Sequence, residues 1–229
     1  MKNLLLCIAT SLFFISCSTD SDFDISENGM NQPLVSNISV APENKANPMD
    51  LKGETFYKAL TLYSGENKFP NSIDEITNQI KFVSAKIGSK SITSKRAIMF
   101  NDDIVQSIMA DPDNIMISIV QSSSLGSASK TDLIVFLQDL ISRRQQEFED
   151  NYNFITTYEN TVLLNQTFSA DDKDTILTVT SISRYSLYSE SERKDRDWET
   201  SVGSKMAKPF FKRNQVSIIY IIALLHQLI

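Results

Sequence analysis

The chain has 229 residues, with 22 Lys and Arg against 28 Asp and Glu, one His, two Cys and 41% apolar residues. That length fits one domain of ordinary size with enough apolar material for a core. A net charge of −6 suits no phosphate backbone, which excludes nucleic acid as a partner, and one His with two Cys leaves little for nucleophile-and-base catalysis or a transition-metal centre.

Met1-Lys2 is followed by an apolar run from Leu4 to Ile15, interrupted only by Cys7, Thr10 and Ser11. About 12 apolar residues fall well below the roughly 20 needed for a membrane-spanning helix, so residues 1–16 read as a secretory signal peptide removed after export. The run ends in Phe14-Ile15-Ser16-Cys17. This resembles the lipobox of bacterial lipoproteins, with Phe14 where that motif usually carries Leu. The resemblance implies lipidation at Cys17. Cys7 then leaves with the signal, and the Cys17 sulfur becomes a thioether in an acylated (palmitate-type) anchor, which leaves no thiol for a disulfide, a nucleophile or a metal. Several acyl chains on one Cys give stable membrane attachment.

Ser18-Thr19-Asp20-Ser21-Asp22-Phe23-Asp24 places three carboxylates just after the anchor. The stretch resembles the acidic export signal that sends lipoproteins of Bacteroidota to the outer leaflet of the outer membrane. A solvated acidic tether explains the same composition, so the surface and the periplasmic face both stay open. Alternating Asp20, Asp22 and Asp24 also suggest a calcium loop, but position six is Ile25 instead of Gly and position twelve is Asn31 instead of Glu. Residues 17–50 therefore read as the lipidated Cys and a flexible acidic tether, polar from Ser18 to about residue 48. About 30 residues at roughly 3.3 Å each reach about 100 Å from the membrane.

Residues 51–229 read as a single, mainly α domain. Between Ser127 and Val202 there is neither Gly nor Pro, and a sheet protein needs turn residues far more often. Ser72-Ile73-Asp74-Glu75 forms a capping box for a helix with Ile73, Ile76, Ile80, Val83 and Ile87 on one stripe, stopped by Gly88. Asn101-Asp102-Asp103 opens a short helix ended by Pro112, and Asp113-Asn114 opens the next, through Ile119. From Ser129-Lys130-Thr131-Asp132 the longest pattern begins: Leu133, Leu137, Leu140, Ile141, Phe148, Tyr152, Ile155 and Val162 share a stripe about 34 residues long, with a break suggested at Asn151 to Asn153. Ser169-Ala170-Asp171-Asp172 resembles a further N-terminus with acids in its first turn. The β-branched Thr175 to Ile182 fits helix or strand, with helix preferred, and the apolar Asn214 to Ile229 reads as a central buried helix, with a core strand over Ile218 to Ile222 equally open. The sum is an irregular bundle of five to seven helices.

Motifs for chemistry are sparse. His226 lies three residues from the end of the chain in an apolar run, so no catalytic triad is assigned. Phosphate loops, His-Glu-x-x-His and Cys-x-x-Cys are lacking, and a di-iron bundle needs more than one His. The expectation is no catalytic residue, no metal and no cofactor. Asp195, Asp197, Trp198 and Glu199 combine acids with the one Trp and form the candidate ligand-binding cluster, because carboxylates beside an indole suit a sugar. The plainer account of Glu190 to Asp197 is a solvated helix end with exposed ion pairs, Trp198 packing that end onto the core near Tyr185 and Tyr188. Lys205 to Arg213 reads as a basic loop ahead of the apolar terminus.

These observations favour a non-enzymatic, lipid-anchored module of the outer membrane. It contacts the membrane through its N-terminal lipid and binds a protein partner, an immunity-type lipoprotein being one version. The alternative is a glycan-binding or glycan-cleaving accessory lipoprotein acting through the Asp195–Glu199 cluster. A structural envelope subunit is a third.

Overall fold

A computed structural model describes residues 40–87, 101–200, 210–212 and 214–228, with the side chains of 195–200, 226 and 227 outside the description. Among the described residues there are eight helices and no strand: α1 (Asp50–Glu66), α2 (Ile73–Ile87), α3 (Asp102–Ala110), α4 (Pro112–Ser122), α5 (Ser127–Ser142), α6 (Phe148–Leu164), α7 (Ala170–Thr200) and α8 (Gln215–Leu228). The chain is mainly α, as its turn-poor sequence requires, with more helices than the five to seven expected. None of the described helices is long and apolar enough to cross a membrane.

Local chemistry sets most helix starts. Ser72 Oγ accepts from the Glu75 N–H at 3.2 Å, and the Glu75 carboxylate reaches back to the Asn71 N–H at 2.6 Å, a capping box displaced by one residue on its return arm. Asn101 caps α3 by accepting from the Ile104 N–H at 3.1 Å. Asp111 caps α4 the same way, accepting from the Asn114 N–H at 3.1 Å. The expected cap at Asp113-Asn114 is therefore corrected to Asp111. Pro112 is the first residue of α4 and not the terminator of α3, because a helix's first N–H is unpaired in any case and Pro lacks one.

The stripe from Leu133 to Val162 is two helices, not one. The chain turns through Arg143–Glu147, ahead of the break expected at Asn151 to Asn153. The turn has neither Gly nor Pro and is set by packing. Folding α6 back on α5 stacks Phe136 on Tyr158, with centroids 4.1 Å apart, and on Phe154 at 5.4 Å, while the Tyr158 hydroxyl donates to Asp132 at 2.6 Å. A straight helix would keep these rings apart. Asp172 ties α7 to the same hairpin: its carboxylate accepts from Ser129 Oγ at 2.8 Å and from the Gly126 N–H at 3.3 Å, at the start of α5.

Helices α7 and α8 form the centre. Residues 176–187 of α7 and 216–225 of α8 are buried throughout. α7 is flanked by α1, α6 and α8, and α8 packs in turn on α3 and α4. The β-branched and hydroxyl residues of α7 that also fit a strand are accommodated by back-bonding to the preceding turn: Thr178 Oγ1 donates to Asp174 O at 2.7 Å and Ser183 Oγ to Val179 O at 2.8 Å. A buried helix can thus carry hydroxyls with their protons satisfied. Apart from Ser217, residues 216–225 of α8 are apolar or aromatic, the sequence of a helix surrounded on every side.

Residues 40–49, which composition assigns to the tether, lie against this centre. Pro42 and Asn47 are buried, and Tyr152 donates its hydroxyl to Glu43 O at 2.9 Å.

Candidate functional site

Helix α7 presents two polar faces. Thr180 and Arg184, with the Leu177 carbonyl that accepts from Asn47 Nδ2 at 2.9 Å, recur at helical spacing toward α6 and the 40–50 arm. Ser186, Glu190 and Arg193 recur at the same spacing elsewhere on the helix, because the two-residue step from Arg184 to Ser186 turns the direction by about 200°.

The first face carries a buried ionic network. The Arg184 and Glu159 side chains are both fully buried. Arg184 Nε donates to Glu159 Oε1 at 3.1 Å, Nη2 to Asp50 Oδ1 at 2.6 Å, and Nη1 to the Pro42 carbonyl. Glu159 also accepts from Asn44 Nδ2 at 2.6 Å, Asn47 Nδ2 at 2.7 Å and Thr180 Oγ1 at 2.8 Å. Ser181 completes the junction by donating to Asp50 O at 3.0 Å while accepting from the Gly53 N–H at 3.0 Å. Gly53 is required here. A methyl group in its place would stand 2.7 Å from the Ser181 carbonyl oxygen and closer still to the Ser181 hydroxyl and the Tyr185 ring. With all three donor nitrogens of Arg184 and both oxygens of Glu159 partnered, the network holds the arm and α1 against α6 and α7.

The second face borders a pocket of about 240 Å³ lined by residues of α1, α2, α7 and α8. Glu190 closes one side. Its carboxylate accepts from the Ser217 N–H at 3.1 Å and lies 2.7 Å from Ser217 Oγ, and the Asn214 N–H also donates to it, so the acid caps the N-terminus of α8 from a neighbouring helix. Asn214 reaches this geometry with φ 53°, the left-handed region that Asn tolerates best among side-chain-bearing residues. Burial raises the Glu190 carboxyl above the usual carboxylate range, against the lowering effect of the Ser217 bonds. Ser217 has one hydroxyl proton and two acceptors, Glu190 Oε2 and the Ser186 carbonyl at 3.0 Å. Protonation of Glu190 lets the acid donate to Ser217 and Ser217 donate onward, which fits the direction of that shift. Arg193 Nη2 lies 3.8 Å from Glu190 Oε1, and its guanidinium sits over the Phe69 ring at 4.0 Å.

Among the residues that line this pocket, the sealed atoms Gln79 Oε1, Ser186 Oγ and the Tyr220 hydroxyl have no hydrogen-bond partner among the described residues. Each of the three residues is 2% exposed. Burial pushes the Tyr220 phenol well above its ordinary value, so the hydroxyl stays a neutral donor.

The residues picked out by the sequence stand elsewhere. Cys17 lies outside the described residues. Asp195, Asp197, Trp198 and Glu199 lie in the last turns of α7, and their side chains lie outside the described residues. Likewise His226 has its backbone in α8 and its side chain outside the description. The Glu190 to Asp197 run is not solvated throughout, since Glu190 is buried and Glu192 accepts from the Tyr57 hydroxyl at 2.6 Å. Sequence reasoning did not find Gln79, Ser186 or Tyr220, whose only signal is a polar group set in an apolar stripe. No protein-family model matches the chain, and no curated protein or solved structure is significantly similar to it.

Proposed function

We propose that this chain is a lipid-anchored, non-catalytic binding module of the cell envelope, attached through Cys17 to the outer membrane and engaging a protein partner. The carrying observation is the Arg184–Glu159–Asp50 network. It ties residues 42–50, where the lipidated segment joins the domain, into the buried centre instead of leaving them as a loose end. An anchored module that holds a partner feels tension at this junction, and a buried, multiply bonded arm resists being peeled away. The charges of Arg184, Glu159 and Asp50 are thus occupied in holding structure, which suits a binding role.

Metabolic labelling with a palmitate analogue and membrane fractionation test the anchor, comparing the native chain with Cys17→Ser. The native chain is expected in the outer-membrane fraction carrying label, the variant without label and out of that fraction. Cross-linking in intact cells then tests the partner, with one stoichiometric protein adduct expected. Label on Cys17→Ser, or the absence of any adduct, overturns the corresponding half of the reading.

A further inference from the structure

We propose that the surface where α1, α6, α7 and the 40–50 arm meet receives a basic side chain of a protein partner, an Arg or Lys set over the rings of Tyr57, Tyr152 and Tyr188 beside the carboxylates of Glu43 and Glu192. This deepens the binding-module reading and rests on it for the existence of a protein partner.

Three helices build the surface. An aromatic chain runs across it: Tyr152 to Phe148 at 6.0 Å between centroids, Phe148 to Tyr188 at 5.3 Å, Tyr188 to Tyr57 at 5.8 Å and Tyr57 to Tyr185 at 6.1 Å. Phe148 and Tyr185 are buried and root the chain in the core, while Tyr57, Tyr152 and Tyr188 are half-buried. Their planes meet at angles from 46° to 66°. None of these rings therefore has its face covered by a parallel neighbour from the same chain.

Carboxylates surround the rings. Tyr57 donates to Glu192 at 2.6 Å, Tyr188 faces the same carboxylate, and Tyr152 donates to the backbone carbonyl of the exposed Glu43. Burial first, then Glu192 and Glu43, push the Tyr188 phenol up to about 12. Burial and then Glu192 raise the Tyr57 phenol in the same direction. Phenols held neutral beside acids mark a negative local potential, and a carboxylate that accepts from phenols keeps lone pairs for an incoming N–H.

Rings and acids together select a cation. A guanidinium or ammonium gains from the π face and from the carboxylate at once. The chain already uses this arrangement inside, where the Arg184 guanidinium lies 5.8 Å from the Tyr185 ring centroid and bonds Asp50 at 2.6 Å. Arg184 is engaged by Glu159, Asp50 and the Pro42 carbonyl and does not serve the outer rings. An anionic group would meet Glu43 and Glu192 at like charge, and an apolar one would bury both acids without compensation. Tyr is among the side chains that protein interfaces favour, which selects a protein's basic side chain over a free amine.

The test titrates the purified full-length chain with hexa-arginine, with hexaglutamate as the comparator of opposite charge, followed calorimetrically at physiological salt, where distant charges are screened. One-to-one binding of hexa-arginine is expected, weakened at least about fivefold by Glu192→Gln and by Tyr188→Leu, the loss of about one charge-assisted or cation–π contact. Asp102→Asn combined with Asp103→Asn removes charge of the same sign from α3, which packs on α2, α4 and α8. That pair is expected to leave binding within about twofold of the native chain. If Tyr188→Leu does not fold, Glu192→Gln decides alone. The proposal is overturned if hexa-arginine does not bind, if hexaglutamate binds as tightly, or if the α3 pair costs as much as Glu192→Gln. The last result would show general attraction to a chain of net charge −6. Failure of the anchored-module reading shows elsewhere, as an unlabelled Cys17 or the absence of an adduct in cells, and the titration depends on neither.

Discussion

Arg184 and Ser186 stand two residues apart on α7, both fully buried, in opposite polar circumstances. Arg184 has three donor nitrogens in use and a partner, Glu159, whose oxygens are also in use. Ser186 has a hydroxyl that meets nothing among the described residues, and Gln79 and Tyr220, which line the same pocket, carry two further such sealed groups. One face of the helix is closed by the 40–50 arm, whose Asn44 and Asn47 amides reach Glu159. On the other face, Ser217 and Asn214 engage Glu190 but leave the Ser186 hydroxyl without a partner among the described residues. The difference teaches that burial alone does not say what a polar group does: one with every bond made is architecture, and one with bonds open is a cost that the rest of the fold carries.

The sharpest way to break this contrast is to remove Arg184. Arg184→Met is expected to destabilise the fold by about 3–5 kcal/mol, since Glu159 remains buried without its ionic partner. Equilibrium denaturation measures it. A cost below about 1 kcal/mol would mean that water reaches Glu159 and that the arm is not held as described. Gly53→Ala probes the same junction from α1. An Ala inside a helix normally gains up to about 1 kcal/mol over Gly, but here the new methyl meets the Ser181 carbonyl at 2.7 Å. The expectation is a loss of about 1–3 kcal/mol, the ordinary cost of overpacking. A gain in stability would show that α1 and α7 separate easily.

What the sequence disclosed follows from the same distinction. Helix class, the α2 and α3 caps and the α7 start were legible because they depend on residues within one turn of each other, such as Ser72 with Glu75 and Ser169 with Asp172. The turn at Arg143–Glu147 was not, because its cause is the stacking of Phe136 on Tyr158, 22 residues away. Helix and strand stayed open for Thr175–Ile182 because local propensity cannot report that Thr180 will meet Glu159. The arm was read as tether for the same reason: Asn44 and Asn47 are solvated residues by composition, and their Glu159 partner lies more than 100 residues further on. Glu190 was read with its charged neighbours in a mixed-sign run, whereas its structural partner is Ser217. Pocket residues are the least legible of all, since a Gln, a Ser and a Tyr on three helices carry no spacing signal.

Glu190 sits at the border between the two kinds of polar group and gives the comparison a pH axis. Its carboxyl is raised by burial, so the fold favours the protonated form. Stability from this group is therefore fully present below the ordinary glutamate range and is lost as pH rises through the raised folded value. In Glu190→Gln that dependence is absent. Denaturation midpoints of the native chain and the variant, followed from pH 4 upward, are expected to change relative to each other in that direction, the native chain losing ground as the pH rises. A native chain that gains on the variant over this interval would mean that the Ser217 and Asn214 bonds outweigh desolvation, and that Glu190 belongs with the fully satisfied network.

Tyr220→Phe and Ser186→Ala carry the smallest expected effect on stability and sharpen the contrast most. Each removes one hydroxyl with no partner among the described residues, and Tyr220→Phe leaves the ring in its edge contact with Phe56 at 5.6 Å. Deleting an unsatisfied polar atom forfeits no protein bond, so both variants are expected within about 0.5 kcal/mol of the native chain, or slightly above it. Set beside a loss of about 3–5 kcal/mol for Arg184→Met, that result would separate the faces of α7 by an order of magnitude at equal burial. A cost above about 1.5 kcal/mol for either hydroxyl would instead mean that its bonding is already complete. That hydroxyl would then be part of the architecture, and the distinction between the two faces would fail.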